Sequence, residues 1–501
     1  MLRFTPKPIH LLLCLSALGC ASERIGDSAS PPLLDSGGIQ PTPDFSGEVR
    51  VDLQPGKWPN VIEKDDSITV AVLARNGFNP TPLTTTDLTL SNADRSIEVE
   101  ALSDAGMEDV DGDDLDDHLF EFPYSAALFE GSGPVHIHVG ELSATDHFVD
   151  DTRLTFVYPD LLGPFPIGTA RFEWEDTSRP DDRTDGVAHR RLPVQIWYPA
   201  NLPSKSQPTA HYLKREEGIL IADYLGIFSR YFDYLFSHSH LDEPVSNDES
   251  RWPVLLFSHG YGVQLPNQTA LVQNAASHGF VVVGVQHTYS TAYTLFDDNT
   301  VATAYINPAN DTESVQNMWT EDLRFVLDQV FELNATASPF ENRLDLDRIG
   351  AFGYSFGGST VSELCRTDER VLAGLNIDGT FYGDAEPALQ QPFMLINAAN
   401  NFEDDNREPF LNSLKGTAYN LSIPDARHAN FNDYALQDQY ISDLTGGAHG
   451  LPIGAIDSRL AYEIVHTYVN AFFSHHVTGD SNSLLSQESP WSEANFEVWG
   501  P

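Results

Sequence analysis

The sequence predicts an α/β fold over residues 160–478, built on a mostly parallel, doubly wound sheet. Several short segments are apolar nearly throughout, as expected of strands covered on both faces, among them "WPVLLFSHG", "FVVVGVQH", "VLAGLNIDG" and "PFMLINAA". Between them lie "NQTALVQNAASHG", "MWTEDLRFVLDQVFELN" and "GSTVSELCRTD", in which apolar residues recur at helical spacing. Such an alternation of strands and helices predicts parallel strands joined by crossover helices.

Length and charge narrow the possible functions. At 501 residues the chain is longer than one ordinary domain, so we expect two or three domains. Its 73 acidic and 28 basic residues give a formal net charge of −45. A charge of this sign argues against nucleic acid as a partner and against electrostatic docking to anionic membranes.

The N-terminus predicts an export signal over residues 1–20. Arg3 and Lys7 precede the apolar run "IHLLLCLSALGC", which is too short to span a bilayer as a helix. Its end, "SALGC", resembles a bacterial lipobox, in which Cys20 would be lipidated and would attach the protein to a membrane. We therefore expect an exported protein of the outer membrane or cell surface, with a periplasmic or secreted protein as the alternative.

Two further regions precede the α/β segment. Residues 21–46 are rich in Ser, Pro, Gly and Asp, which is typical of a flexible linker. Residues 47–158 contain alternating runs such as "SITVAVLA", "SIEVEAL" and "PVHIHVG", separated by turn residues, which predict a β-sandwich resembling immunoglobulin-like modules. Residues 479–501 are interpreted as a peripheral C-terminal tail.

An acidic loop lies inside the predicted β-sandwich. The stretch from Asp109 to Asp117 carries closely spaced carboxylates, which suit Ca²⁺. An EF-hand loop starting at Asp109 would need Gly at its sixth position and Glu at its twelfth, where this chain has Asp114 and Phe120. The pattern therefore favours a solvated loop over a Ca²⁺ site, and no cofactor is expected.

The segment "AFGYSFGG" places Ser355 between Gly353 and Gly357, after a predicted strand and before a predicted helix. The nucleophile elbow of the α/β-hydrolase fold requires this arrangement, because its serine lies on a strained turn with small residues on either side. The turn also puts Ser355 at a helix N-terminus, where the amide of Phe356 points at a developing oxyanion. Ser355 is therefore the predicted nucleophile.

An elbow serine needs three partners, and each can be sought in the sequence. Tyr261 follows the strand "VLLFSHGYG" and is the predicted second oxyanion donor. Asp378 ends the strand after the elbow helix and is the predicted acid, ahead of its rivals Asp384, Asp404, Asp405 and Asp425. His428 follows a late strand and is the predicted base, with His449 as the main alternative. This set predicts ester hydrolysis through an acyl-enzyme, without metal.

Seven blocks in order resemble the platelet-activating factor acetylhydrolases of the plasma and intracellular type II kind, namely "RRLPVQIWYPA", "VLLFSHGYG", "ASHGFVVVGVQHTY", "EDLRFVLDQV", "LDRIGAFGYSFGGST", "CRTDERVLAGLNIDG" and "RHANFNDY". The resemblance implies a triad of Ser355, Asp378 and His428, with oxyanion amides at Tyr261 and Phe356. It also implies hydrolysis of carboxylic esters, often with short or oxidised acyl chains on a phospholipid. Tyr354 and Gln286 depart from the family, which usually has histidine and aspartate at these positions.

Substrate choice is expected to depend on the aromatic segment 218–236, whose apolar residues share one helical stripe. Tyr224 on this stripe, Phe228 beside it and Tyr354 are candidate pocket residues, although the segment also suits an ordinary core helix. The leading hypothesis is a short-chain serine esterase acting on a small ester or phospholipid, with no protein partner implied. The alternatives are a lipase or polyester hydrolase of the same fold, and a surface binding module whose hydrolase domain is inactive.

Overall fold

The computed structural model describes residues 39–41, 51–53, 68–74, 80–92, 95–108, 116–123, 133–139, 142–148, 156, 158–181, 188–202, 209–225, 232, 235–304, 306, 308, 311–382, 388–398, 407–438 and 452–499. Of the predicted features, the export signal with Cys20, most of the acidic loop, Phe228, His449 and the rival acids Asp384, Asp404 and Asp405 lie outside these residues.

The N-terminal part of the chain is made of strands. They are β1 (Ile39–Pro41), β2 (Val51–Leu53), β3 (Ile68–Val72), β4 (Leu88–Ser91), β5 (Glu98–Glu100), β6 (Ser103–Glu108), β7 (Asp117–Phe122), β8 (Gly133–Val139) and β9 (Leu142–Phe148). Two antiparallel four-stranded sheets result, in the orders β2-β3-β7-β6 and β5-β4-β8-β9. Val70 and Phe120 of the first sheet and Leu90 and Ile137 of the second belong to one buried cluster.

The second part of the chain contains thirteen further strands in its described residues. They are β10 (Ile167–Pro180), β11 (His189–Pro199), β12 (Thr209–His211), β13 (Phe236–Leu241), β14 (Trp252–Ser258), β15 (Val281–Val285), β16 (Tyr293–Leu295), β17 (Thr300–Thr303), β18 (Leu344–Tyr354), β19 (Ala373–Ile377), β20 (Phe393–Ala398), β21 (Ala418–Ile423) and β22 (Asn495–Trp499). Eleven of them form one sheet in the order β12-β13-β10-β11-β15-β14-β18-β19-β20-β21-β22. The block from β15 to β21 is parallel throughout.

Helices cover both faces of this sheet. They are α1 (Arg215–Leu225), α2 (Thr269–Ser277), α3 (Thr312–Ala335), α4 (Phe356–Thr367), α5 (Arg407–Ser413) and α6 (Ser458–Phe473). Alternate residues of β14 point to opposite faces, as the period of a strand requires. Leu255 and Phe257 join the cluster that contains α2 and α6, whereas Val254 and Leu256 join the cluster that contains α3 and α4. The mixed α/β fold with a large, mostly parallel sheet is confirmed.

Three segments differ from the sequence-based expectation. The predicted peripheral tail supplies β22, which pairs antiparallel with β21, and its Leu485 and Ala494 are part of the core. Sequence reasoning did not predict this strand, because a five-residue edge strand with mixed polarity carries little sequence signal. Within the predicted linker, Ile39–Pro41 pairs with β17. Of the helix expected over 218–236, the structure describes α1 (Arg215–Leu225), and Phe236 already belongs to β13.

Candidate active site

Ser355 lies on a sharp turn between β18 and α4, with φ 56° and ψ −126°. This left-handed backbone is strained for a residue with a side chain, and such strain is common at active sites. A Cβ on Gly353 would lie 2.3 Å from Gly357 C, and a Cβ on Gly357 would lie 2.2 Å from Ser258 O. The glycines on either side of Ser355 are therefore required by close backbone packing.

Asp378 follows β19 directly and is also in the left-handed region, with φ 54°. Its amide donates to Ile396 O at 2.7 Å, and its Oδ1 accepts from the amide of Ala398 at 2.9 Å. The side chain is fully buried. Two contacts to β20 thus hold the carboxylate in one orientation and leave Oδ2 for another partner.

His428 provides that partner, and it begins a short 3-10 helix, His428–Phe431, after β21. Its Nδ1 lies 2.6 Å from Asp378 Oδ2, and its Nε2 lies 3.0 Å from Ser355 Oγ. Because Nδ1–H donates to the carboxylate, Nε2 is left as the acceptor for the serine hydroxyl. The side chain of His428 is 21% exposed, so this chain of hydrogen bonds reaches the surface at His428.

Tyr354 packs behind His428. The two rings stack with centroids 4.8 Å apart and an interplanar angle of 24°, and the tyrosine hydroxyl donates to His428 O at 3.1 Å. Tyr354 is only 3% exposed, and burial raises the pKa of its hydroxyl well above the usual range. These contacts show Tyr354 as a support of the histidine, while its expected contact with substrate stays a prediction.

The two predicted oxyanion donors belong to elements that meet beside Ser355. Phe356 is the first residue of α4, and the first amides of a helix have no carbonyl partner within it. A Cβ on Gly260 would lie 3.1 Å from Ser355 Cβ, so the loop after β14 runs directly against Ser355. Tyr261 of this loop and Tyr382 are half-buried and pack with Phe356 in one small apolar cluster.

A second array of polar side chains lies under the same loop and was missed in the sequence. Ser258 Oγ lies 3.0 Å from His287 Nε2, and His287 Nδ1 lies 2.8 Å from Asp322 Oδ2. All three residues are fully buried. Ser258 is the last residue of β14 and His287 lies just after the neighbouring strand β15, which is the signal that could have paired them. We refer to Ser258, His287 and Asp322 as the buried array.

The remaining candidate positions are less informative. Tyr224 lies in α1. Asp117, at the end of the acidic loop, is fully buried in β7, and its Oδ1 accepts from the amide of Ala74 at 2.7 Å, so it holds the backbone instead of facing a solvent ion.

Within the described residues there is no cluster of three or more metal-ligating side chains. The described helices also include none that is both long and apolar enough to cross a bilayer.

The sequence profile of the family described as "Platelet-activating factor acetylhydrolase, isoform II" matches residues 154–324 and 313–488, which is more than half of the chain. The chain belongs to this family. The match covers all the strands from β10 to β21 and every residue of the hydrogen-bonded chain from Ser355 to Asp378. The predicted resemblance is thereby confirmed.

Individual relatives agree with the family assignment. A probable 1-alkyl-2-acetylglycerophosphocholine esterase of Arthroderma benhamiae is 28% identical over 370 residues, which cover 66% of this chain and 91% of the relative. A platelet-activating factor acetylhydrolase of Cavia porcellus is 25% identical over 374 residues, covering 65% and 79%. Among solved structures, a ferulic acid esterase of Streptomyces cinnamoneus is 28% identical, with a TM-score of 0.56, covering 68% of this chain and 99% of that chain. This acetylhydrolase-family chain is therefore an ester hydrolase.

Proposed function

We propose that the protein is a serine carboxylic-ester hydrolase in which Ser355 is the nucleophile, His428 the general base and Asp378 the residue that orients His428. The observation that carries this proposal is the unbroken chain of hydrogen bonds from Asp378 through His428 to Ser355, at 2.6 and 3.0 Å. The position of Ser355 on a strained strand-to-helix turn is the second support, because a nucleophile elbow exposes the hydroxyl of its serine at the edge of the sheet.

The reaction follows from the direction of these hydrogen bonds. Ser355 Oγ attacks the ester carbonyl carbon while His428 Nε2 takes the hydroxyl proton, and Asp378 stabilises the resulting imidazolium. Collapse of the tetrahedral intermediate breaks the bond to the alcohol, which leaves with the proton from His428. Water then attacks the acyl-enzyme with His428 again as base, and this step releases the acid and restores Ser355.

The developing oxyanion would be bound by the amides of Phe356 and Tyr261. Both residues flank Ser355, since one follows it in sequence and the other belongs to the loop packed against its Cβ. Each donor of this kind contributes roughly 10²- to 10³-fold to the rate in serine hydrolases. We propose no metal or organic cofactor for this chemistry, because the triad and two amides supply every proton and charge that it needs.

The substrate we propose is a short-chain ester, including short or oxidised acyl chains on a phospholipid. The names of the fungal and guinea-pig relatives support it, since both describe enzymes that act on acetylated phospholipids or platelet-activating factor. The aromatic cluster beside Ser355, made of buried Phe356 with half-buried Tyr261 and Tyr382, suits a small apolar acyl group.

A second candidate is hydrolysis of larger esters by the same triad. The structural neighbour is a ferulic acid esterase, which favours an aromatic acyl group, and flat rings pack well against aromatic side chains. Lipase or polyester-hydrolase activity belongs to the same alternative. An inactive binding module is disfavoured, because Ser355, His428 and Asp378 are all present and hydrogen-bonded.

The remaining expectations complete the proposal. We propose export through the signal at residues 1–20, with Cys20 lipidated and the enzyme attached to a bacterial outer membrane or cell surface. The two antiparallel sheets that share one core support an immunoglobulin-like β-sandwich over residues 47–158. For the acidic loop we propose a solvated surface loop, with Ca²⁺ as the alternative.

A fluorophosphonate probe tests the central assignment. Wild type should be labelled at one site, and Ser355→Ala should not be labelled. Ser362→Ala is the matched control, because Ser362 is a buried serine on α4 whose hydroxyl bonds only to the helix turn before it, at Gly358 O. Labelling of Ser355→Ala, or no labelling of wild type, would show that the nucleophile is wrongly assigned.

Substrate class is tested by p-nitrophenyl esters from acetate to palmitate, together with a short-chain phospholipid and methyl ferulate. The proposal expects the highest kcat/KM for acetate or butyrate and for the phospholipid. A preference for palmitate would favour the lipase alternative, and a preference for methyl ferulate the aromatic one.

A further inference from the structure

The peptide group between Gly260 and Tyr261 is held at its carbonyl end. The side chain of His259 donates from Nδ1 to Gly260 O at 2.6 Å. A peptide group is planar and trans, so its C=O and its N–H point in opposite directions. The N–H of this same peptide belongs to Tyr261, the proposed oxyanion donor. A hydrogen bond to Gly260 O therefore fixes the direction of the Tyr261 N–H.

The protonation of His259 is set by its other nitrogen. Nε2 accepts the main-chain N–H of His287 at 3.0 Å, so the single proton of a neutral ring is on Nδ1. Burial, with a smaller contribution from nearby His287, lowers the pKa of His259 to about 3. His259 is thus a neutral donor of fixed tautomer at neutral pH.

The main chain of His287 is in turn fixed through its side chain. Its Nε2 accepts from the Ser258 hydroxyl at 3.0 Å, and its Nδ1–H donates to Asp322 at 2.8 Å. Arg190 binds both oxygens of Asp322 at 2.6 Å. A buried array with this many strong hydrogen bonds is rigid, since any displacement would leave a buried charge or donor unpaired.

Trp319 connects the buried array to both donor residues. It stacks on His287 with centroids 3.8 Å apart and meets Phe356 edge-to-face at 4.9 Å. Its Nε1–H donates to Ser290 Oγ at 3.0 Å, and Ser290 O accepts the amide of Gly262 at 2.8 Å. The loop is therefore held on both sides of Tyr261.

We propose that His259 is a positioning residue that aims the Tyr261 amide at the oxyanion, and that the buried array of Ser258, His287 and Asp322 holds His259 in place. The inference rests on the proposed serine-hydrolase function. The buried array is not a second catalytic site, because its serine is fully buried and its aspartate is neutralised by Arg190. Its contribution to the reaction passes through the geometry of one peptide group.

Two substitutions of His259 test the proposal on the full chain. His259→Phe keeps a ring of similar size but removes both hydrogen bonds, whereas His259→Asn keeps an N–H donor near the position of Nδ1. For p-nitrophenyl acetate, His259→Phe should lower kcat roughly 10- to 100-fold with KM within about twofold, since only the transition state carries the oxyanion. The fluorophosphonate labelling rate should fall in parallel, and His259→Asn should restore part of both.

The matched control is His466→Phe. His466 is a buried histidine of α6 whose ring packs at a tilt against Tyr462, and its replacement should leave kcat and the labelling rate at wild-type values. If His259→Phe does not fold, Ser258→Ala replaces it, since it removes only the hydroxyl that donates to His287, and a smaller fall in kcat at constant KM is then expected.

The proposal is overturned if folded His259→Phe turns over and labels like wild type, or if His259→Asn is no better than His259→Phe at equal melting temperature. Failure of the underlying function has a different signature. In that case wild type itself is not labelled, or the labelled site persists in Ser355→Ala.

Discussion

Ser355, His428 and Asp378 resemble the buried array in composition and in hydrogen-bond length. The serine–histidine distance is 3.0 Å in both, and the histidine–aspartate distances are 2.6 and 2.8 Å. They differ in exposure, because His428 reaches solvent whereas His287 is fully buried. They also differ in charge balance, because Asp322 is paired with Arg190 and Arg179, whereas Asp378 is held by the amide of Ala398.

The difference teaches that a serine–histidine–aspartate geometry alone does not make a nucleophile. Burial raises the free energy of an imidazolium, and the nearby arginines raise it further at His287 by repulsion, so burial and these charges lower the pKa of His287 despite Asp322. A base that resists protonation cannot take the proton of its serine. The same hydrogen bonds can therefore serve catalysis at one position and rigidity at its neighbour.

The largest expected contrast is between the two serines. Ser355→Ala should lower kcat on the order of 10⁶-fold, as loss of the nucleophile does in other serine hydrolases. Ser258→Ala should lower kcat no more than about tenfold, because it acts only through the oxyanion loop. Initial rates on p-nitrophenyl acetate measure both. A loss from Ser258→Ala as large as that from Ser355→Ala would contradict the distinction.

The two aspartates should separate catalysis from stability. Asp378→Asn should lower kcat roughly 10⁴-fold, because the imidazole loses its correct tautomer, with little change in melting temperature. Asp322→Asn should instead lower the free energy of unfolding by about 3–5 kcal/mol, because Arg190 is left as an uncompensated buried charge. Urea denaturation and kcat measured on the same samples test both expectations. A large loss of kcat in Asp322→Asn and a large loss of stability in Asp378→Asn would exchange the roles of the two aspartates.

Acid should destabilise the protein through the residues around the buried array. The pKa of His259 is lowered to about 3 in the folded protein and is near 6.5 in the unfolded chain. As the pH falls, the histidine is therefore protonated in the unfolded chain before it is protonated in the folded protein. The stability from His259 is complete above pH 6.5 and is lost as pH falls toward 3, by about 2 kcal/mol at pH 5. Urea midpoints between pH 7 and 5 should show a shallower fall for His259→Phe than for wild type. An equal fall would mean that His259 does not titrate in this way.

The smallest effect is expected from Tyr354, which packs behind His428. Tyr354→Phe keeps the ring stacked on His428 but removes the hydrogen bond to His428 O, which is worth about 1 kcal/mol. We expect kcat to fall by about two- to tenfold with KM unchanged. Tyr354→Leu, which also removes the stacked ring, should be worse. If Tyr354→Phe changes acyl-chain preference instead of kcat, Tyr354 contacts substrate and the pocket prediction is favoured.

Much of the fold could be predicted, for reasons visible in particular elements. The strands β14, β15, β19 and β20 are buried at every position and are therefore mostly apolar, which is a strong local signal. The edge strands β12 and β22 are short or carry exposed polar residues, and sequence reasoning missed them. Their place depends on a neighbouring strand that offers free hydrogen bonds, which is tertiary information.

The sequence by itself determined the candidate nucleophile, acid and base. Ser355 and Asp378 lie directly after strands with a clear apolar pattern, and His428 lies in the loop after another. Parallel strands bring their carboxyl ends to one edge, so chain order was enough to choose these three residues. It also determined the family and the ester-hydrolase class.

Only the tertiary structure decided how the neighbouring residues are used. Tyr354 stacks on a histidine 74 positions away, and His287 bonds to an aspartate 35 positions away, so no local pattern marks either contact. Side-chain direction, burial and the nearness of Arg190 arise only when strands and helices pack. These three quantities set whether a histidine can accept a proton, which is why two similar hydrogen-bonded arrays have different roles in one domain.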